Sequence, residues 1–295
     1  MTYRRILLAT DPDGLAERAV PIAGALAREV GGEVFLVGVC AAGDPPERCQ
    51  AVRERVRAAS EELATAGVKV DSEIRQAAGD KSVGDEIVAA SLERGADLVA
   101  LGSHGRGDML ALIRGSVAQE VAAAIEVPVV LVHSRTPPPT LSLPAPLRRI
   151  LVAVDFSEAA KQSARLAQDI ALAERAQVLV LHVCEMVPWG DVPYVEPEDE
   201  AEQLVDGIAQ TLRDAGCRVE TRVTRPELSL ATAISREADD WDADLIVLGS
   251  RRRTALGGLL LGSTAHAVVH RTSRAVVLAG HPVHEAKAVQ QPGQS

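Results

Sequence analysis

The residues best placed to do chemistry are glycines. Gly102-Ser103-His104-Gly105 is followed, after a gap of nine residues, by Gly115-Ser116. Glycine lets a backbone N–H approach an anion closely and adopts conformations that a Cβ disfavours. Ser116 is a good helix N-cap, and a first helical turn presents unpaired N–H donors at the positive end of the helix dipole. Arg106 and Arg114 add positive charge, and His104, inside the loop, either touches an anion held there or is simply exposed. Together these features read as a phosphate cradle. The competing reading of the spacing alone is an ordinary strand–loop–helix turn. Gly-Lys-Ser/Thr does not occur, so this is not a Walker loop; the glycines follow the fourth strand, not the first, so it is not a dinucleotide fingerprint.

Other candidates carry weaker signals. Asp11 and Asp155 end the first strand of each half, where a carboxylate either meets a base, ribose or metal or caps the following turn. His266 and His270 stand four apart on a helix, a metal-binding spacing, but no third ligand is evident beside them, and no metal site is expected. His182 and Cys184 read as a strand-end pair rather than a ligand set. No nucleophile elbow, Ser/His/Asp arrangement or paired-carboxylate motif stands out, so no catalytic residue is assigned. Trp189 and Tyr194 fall in a Pro-rich loop, Val187–Pro197, where they form a lid or an interface or pack on their own domain.

The elements that must position the glycine loop are legible. In the first half, apolar runs at Ile6–Thr10, Glu33–Val39, Leu98–Leu101 and Val129–Val132 read as strands buried on both faces, and Val68–Ile74 alternates like an edge strand. Helical spacing covers Leu15–Val30, Glu47–Ala66, Lys81–Arg94 and Ser116–Ala124. This alternation predicts an α/β fold with a parallel sheet covered by helices on both faces, and a ligand beyond the carboxyl ends of the strands, where strand order reverses. Asp11–Gly14, Val39–Asp44 and Gly102–Gly115 all leave those ends.

The chain then repeats itself. RRILLATD (4–11) returns as RRILVAVD (148–155), GADLVALGS (95–103) as DADLIVLGS (242–250), and RGSVAQEV (114–121) as LGSTAHAV (261–268). The offset is 144 residues at Asp11/Asp155 and at Cys40/Cys184, and 147 at the later matches. So long a period means a duplicated domain, not a solenoid. Thr136 to Pro146 holds five prolines in eleven residues, a stiff extended connector. The expected organisation is domain 1 at 1–135, a linker at 136–146, domain 2 at 147–281 and a tail at 282–295.

Composition narrows the function further. The 295-residue chain has a formal charge of −10, which argues against a non-specific nucleic-acid or anionic-membrane binder. Six aromatic residues are too few for a base-stacking platform. No apolar stretch is long enough to span a membrane, and the four cysteines form no C-x-x-C pair. These features predict a reduced, cytoplasmic protein.

At this point the chain resembles the universal stress protein family. The likeness rests on Gly102-x2-Gly105-x9-Gly115-Ser116, on the opening ILLATD, on EVFLVGV and on ADLVALGSHG, and it extends over both halves. It implies two tandem open five-stranded parallel-sheet domains of the adenine nucleotide alpha hydrolase-like type, with strand order 3-2-1-4-5, related by a pseudo-twofold axis. The motif marks family members that bind ATP. The resemblance implies an adenine pocket near Thr10, Asp11, Val39 and Leu101, and phosphates, with or without Mg2+, on Gly102, Ser103, His104, Gly105, Gly115, Ser116 and Val117. The second half offers Asp155, Val183, Gly249, Gly262, Ser263 and Thr264, but places Arg252 where the first half has Gly105. A side chain there either degrades the cradle or, within Arg251-Arg252-Arg253, builds a different anion site.

The expected protein is a cytoplasmic, ATP-binding regulatory stress protein whose first half holds the nucleotide and whose second half binds weakly or not at all. A slow ATPase or autophosphorylating enzyme is one alternative, and a nucleotide-independent interaction scaffold is another. The halves are expected to pair within one chain through Val129–Val132 and Ala275–Leu278, with homodimerisation as a further option.

Overall fold

A computed structural model describes residues 3–103, 117–133, 147–184, 186–189, 192–225, 229–249 and 262–280. The first half runs β1 (Arg5–Thr10), a 3-10 turn (Ala16–Ala19), α1 (Val20–Glu29), β2 (Glu33–Cys40), α2 (Pro46–Thr65), β3 (Lys69–Gln76), α3 (Val83–Glu93), β4 (Leu98–Ser103), α4 (Val117–Ala124) and β5 (Val129–His133). The second half runs β6 (Arg149–Ala153), α5 (Glu158–Glu174), β7 (Gln177–Val183), the hairpin β8 (Met186–Trp189) and β9 (Val192–Val195), α6 (Glu198–Asp214), β10 (Arg218–Thr224), α7 (Leu230–Asp240), β11 (Leu245–Gly249), α8 (Ser263–Arg271) and β12 (Ala275–Ala279).

All strands but the β8–β9 pair join one ten-stranded sheet, in the order β10-β7-β6-β11-β12-β5-β4-β1-β2-β3. Each half therefore has the order 3-2-1-4-5. Pairing is parallel throughout except between β12 and β5, which run antiparallel with Val277 opposite Val130. The last strand of each half would otherwise be a bare edge. The two edges cover one another, and the contact lies where the sequence places it.

Side chains alternate across the sheet with the strand period of two. Ile6 and Leu8 point into one core with α1, α2, α5 and α6; Leu7 and Ala9 point into the other with α3, α4, α7 and α8. Both cores run through both halves. The outer strands β3 and β10 alternate polar and half-buried residues. On β3, Arg75 pairs with Glu73 and Glu93, while Arg94 reaches Asp71 and Glu73. Such charge discourages further strand pairing at the edge.

Three details differ from the sequence reading. The helix expected over Leu15–Val30 is divided into a 3-10 turn and α1, because Pro21 has no N–H to continue an α-helical ladder across the junction. The Val187–Pro197 loop contains a two-stranded ribbon in which Pro188 faces Pro193. Cys40 and Cys49 are paired as a disulfide between the end of β2 and the first turns of α2, with Cα atoms 5.4 Å apart, so the expectation of four reduced thiols is corrected. Cys184 and Cys217 are free and buried.

One repeated feature is structural. The Asp97 carboxylate accepts the backbone N–H groups of Arg4 and Arg5 at 2.9 and 3.0 Å. Asp244 does the same for Arg148 and Arg149 at 2.7 and 2.9 Å. The duplicated aspartate before each fourth strand thus satisfies the orphan amides at the start of each first strand.

Candidate functional site

In each half the switch point lies between the first strand and the fourth. In the first half, β1 is flanked by β2 and β4, so Thr10, Val39 and Leu101 end neighbouring strands, and Gly102 follows within β4. Val39 and Leu101 are buried, and the Thr10 hydroxyl donates to the Val37 carbonyl at 3.4 Å. Val117 opens α4. Ser103 is described only in its backbone, and His104, Gly105, Gly115 and Ser116 lie outside the described residues, as does Arg252.

Asp11 has a definite local task. Its Oδ1 accepts from the N–H groups of Asp13 and Leu15 at 2.9 and 3.2 Å, and its Oδ2 from that of Ala16 at 2.7 Å. The carboxylate organises the turn that carries β1 into the 3-10 segment, which is the capping role. Gly102 also has a packing reason. A Cβ there would meet Ala16 N at 2.7 Å and Leu15 C at 2.9 Å, both main-chain atoms. Gly249, its counterpart, is pressed by Ala159, whose Cβ would lie 3.0 Å away. The first glycine of each loop is therefore required by close passage of the segment after the first strand.

The second half presents an open cleft of about 830 Å³ at the same corner. That volume falls in the range of small-molecule sites, roughly 300–1,000 Å³. The ends of β6 and β7 supply Asp155, His182 and Val183; β11 supplies Leu248 and Gly249; Gly262, Ser263 and Thr264 close the far wall at the start of α8. All the described residues of the expected second site thus share this cleft. Asp155 Oδ1 accepts from Ser157 N at 3.0 Å and also bonds the Ser157 hydroxyl. Phe156, 59% exposed, stands edge-on to His182 with ring centroids 5.6 Å apart.

His182 is more than a strand-end residue. It is buried, its Nδ1 lies 2.8 Å from the Val154 carbonyl and its Nε2 lies 2.8 Å from Glu196 Oε1. Cys184 follows two residues later, and the His nitrogens, Cys184 Sγ and Glu196 carboxylate bring donor atoms within 4.8 Å of one another. Burial, and then the Glu196 carboxylate, push the Cys184 thiol up. Glu196 is the member that sequence reasoning missed. It lies in the Val187–Pro197 loop, which is longer than its first-half counterpart Ala41–Pro46; counted back from the helix caps Pro197 and Pro45 it falls opposite Asp44, a match that the change in loop length hides. On α8, His266 and His270 face each other through Nε2 atoms 3.0 Å apart, and burial lowers the pKa of His266.

Family membership follows from comparison with known proteins. The sequence profile described as "Universal stress protein family" matches residues 2–133 and again 146–279, so the chain belongs to that family and carries the domain twice. A universal stress protein of Mycobacterium tuberculosis is 28% identical over 191 residues, covering 62% of this chain and 62% of that protein. The chain thus aligns with less than two thirds of the length of this relative. A universal stress protein of Thermus aquaticus is 36% identical over 137 residues, 44% of this chain and 97% of its own length. Among solved structures, a universal stress protein from Archaeoglobus fulgidus superposes with a TM-score of 0.70 at 21% identity, covering 94% of this chain and 96% of that one. The likeness establishes a shared adenine nucleotide alpha hydrolase-like fold. Among the described residues no helix is long and apolar enough to cross a membrane.

Proposed function

We propose that this chain is a cytoplasmic, ATP-binding regulatory member of the family, with one nucleotide held by the first half. The observation that carries the reading is the complete Gly102-x2-Gly105-x9-Gly115-Ser116 motif, which leaves the end of β4 and enters α4 at Val117. Val39 and Leu101 lie in the strands on either side of the end of β1 at Thr10, offering aliphatic side chains and backbone groups to adenine. The main-chain donors of the loop and of the first turn of α4 suit a triphosphate, with Mg2+ as its counter-ion. Because no base stands out to activate water, binding rather than turnover is the activity assigned, and ATP biases shape or partner choice.

Equilibrium dialysis with labelled ATP tests the reading. One site per chain is expected, and Gly115→Val or Gly105→Arg abolishes it. Absence of binding in the wild type, or unchanged binding in both variants, overturns it. A second reading, in which the second half also takes a ligand, is favoured by its open cleft of about 830 Å³. It requires a second site that survives Gly115→Val.

A further inference from the structure

We propose that His182, Cys184 and Glu196 form a zinc site on the wall of the second-half cleft. The strand period places His182 and Cys184 on one side of the chain at the end of β7, since residues two apart share a face. Glu196, directly after β9, is brought against them by the return of the β8–β9 hairpin. One donor atom from each lies within 4.8 Å of the other two.

The hydrogen bonding of the ring is that of a metal-ligating histidine. A carbonyl oxygen only accepts, so Nδ1, 2.8 Å from the Val154 carbonyl, carries the proton. That bond fixes the tautomer and ring orientation and directs Nε2 to Glu196, the second-shell arrangement that zinc-bound imidazoles adopt. Nε2 and Glu196 Oε1, 2.8 Å apart, are either bridged by a proton or joined to a common cation. The thiol of Cys184 decides in favour of the cation. An imidazole–carboxylate ion pair has no need of sulfur, whereas nitrogen, sulfur and oxygen donors together suit Zn2+. Tetrahedral ligands about 2.0–2.3 Å from zinc stand roughly 3.3–3.7 Å apart, so metal binding requires Nε2 and Glu196 Oε1, 2.8 Å apart, to separate by about 0.5 Å. His182 and Glu196 also line the cleft, so the remaining coordination position faces the space where a ligand enters.

The first half lacks the histidine of this cluster. The position matching His182 is Gly38, where a Cβ would meet Val52 Cγ1 at 2.5 Å and Val56 Cγ2 at 2.8 Å of α2. The position matching Cys184 is Cys40, which pairs with Cys49. Counted back from the helix caps Pro45 and Pro197, Glu196 matches Asp44, whose carboxylate accepts from Ala41 N at 2.7 Å; both halves therefore hold a cysteine and a carboxylate at this strand end, and the second half has exchanged glycine for histidine.

Cobalt substitution on the full chain tests the site. Stoichiometric Co2+ is expected to give a thiolate-to-cobalt charge-transfer band and intense tetrahedral ligand-field bands, both removed by Zn2+. Cys184→Ser abolishes the charge-transfer band, and Glu196→Gln weakens Co2+ binding at least tenfold while keeping the band. A Cys40→Ser/Cys49→Ser variant retains both. His266 and His270 cannot imitate the result, because they supply no sulfur. Both diagnostic replacements are nearly isosteric, and far-ultraviolet circular dichroism verifies that each variant is folded. No charge-transfer band at stoichiometric Co2+, or a band unchanged in folded Cys184→Ser, overturns the proposal.

Discussion

Val130 of β5 lies opposite Val277 of β12, in the antiparallel ladder that joins the two halves into one sheet. Both side chains are fully buried, and both belong to a core that draws on helices from each half. The duplicated domains are thereby coupled mechanically, whatever each one binds.

Placing a charge at that junction should be costly. Val130→Asp buries a carboxylate with no partner among aliphatic side chains, and a loss of about 3 kcal/mol or more is expected. Denaturant unfolding of the wild type should show one transition, because the core is continuous, and the variant should unfold at a much lower midpoint. A loss below about 1 kcal/mol would mean that the junction is open to water.

Gly102→Ala separates packing from ligand binding. The new Cβ meets main-chain atoms of Leu15 and Ala16, which cannot rotate away. Stability without any nucleotide should fall by about 1–3 kcal/mol, the usual cost of overpacking. If Gly102 serves only a phosphate, the same change leaves the nucleotide-free protein untouched in thermal unfolding and lowers affinity alone.

Much of this architecture was legible because it follows from short-range pattern. Continuous apolar runs marked β1, β2, β4 and β5, and an edge-like alternation marked β3. The β5–β12 contact is what the family resemblance implies, since the halves are expected to pack as two chains of a single-domain relative would, around a pseudo-twofold axis. The reading failed where one residue changes a local outcome or where a partner is remote. Pro21 was visible, yet the apolar spacing on either side suggested an unbroken helix. Pro188 and Pro193 suggested a loop, although a two-stranded ribbon tolerates both. Cys49 carries neither a C-x-x-C spacing nor a repeat-matched partner to point it at Cys40, and Glu196 sits fourteen residues from His182 in a loop longer than its first-half counterpart.

The cysteine pairing predicts a thiol count. Denatured, unreduced protein should expose two titratable thiols, Cys184 and Cys217, and four after reduction. Closing a loop with a sequence separation of nine restricts the unfolded chain, and a stabilisation of about 2–3 kcal/mol is expected from that restriction. Reductant should therefore lower the thermal midpoint of the wild type and leave Cys40→Ser/Cys49→Ser unaffected. Four thiols in the unreduced protein would refute the pairing.

Glu174 gives the chain a pH dependence of defined sign. It ends α5, is 8% exposed, and its Oε2 accepts from Leu147 N at 3.2 Å while Oε1 is buried without a hydrogen-bond partner among the described residues. Burial raises its pKa to about 7, opposed by the Leu147 amide and assisted by Glu29. A carboxyl raised in the folded state holds its proton where the unfolded chain has released it. Stability contributed by this residue is therefore present below the ordinary carboxylate range and declines as pH rises to about 7, after which it is flat. The full decline is about 3 kcal/mol. Glu174→Gln removes the titration. The variant should gain stability relative to wild type as pH is raised from about 5 to about 8, by roughly 2–3 kcal/mol, in urea unfolding at matched ionic strength. A difference between the two proteins that does not change with pH would show that Glu174 is already ionised in the fold, with water or a cation compensating its charge.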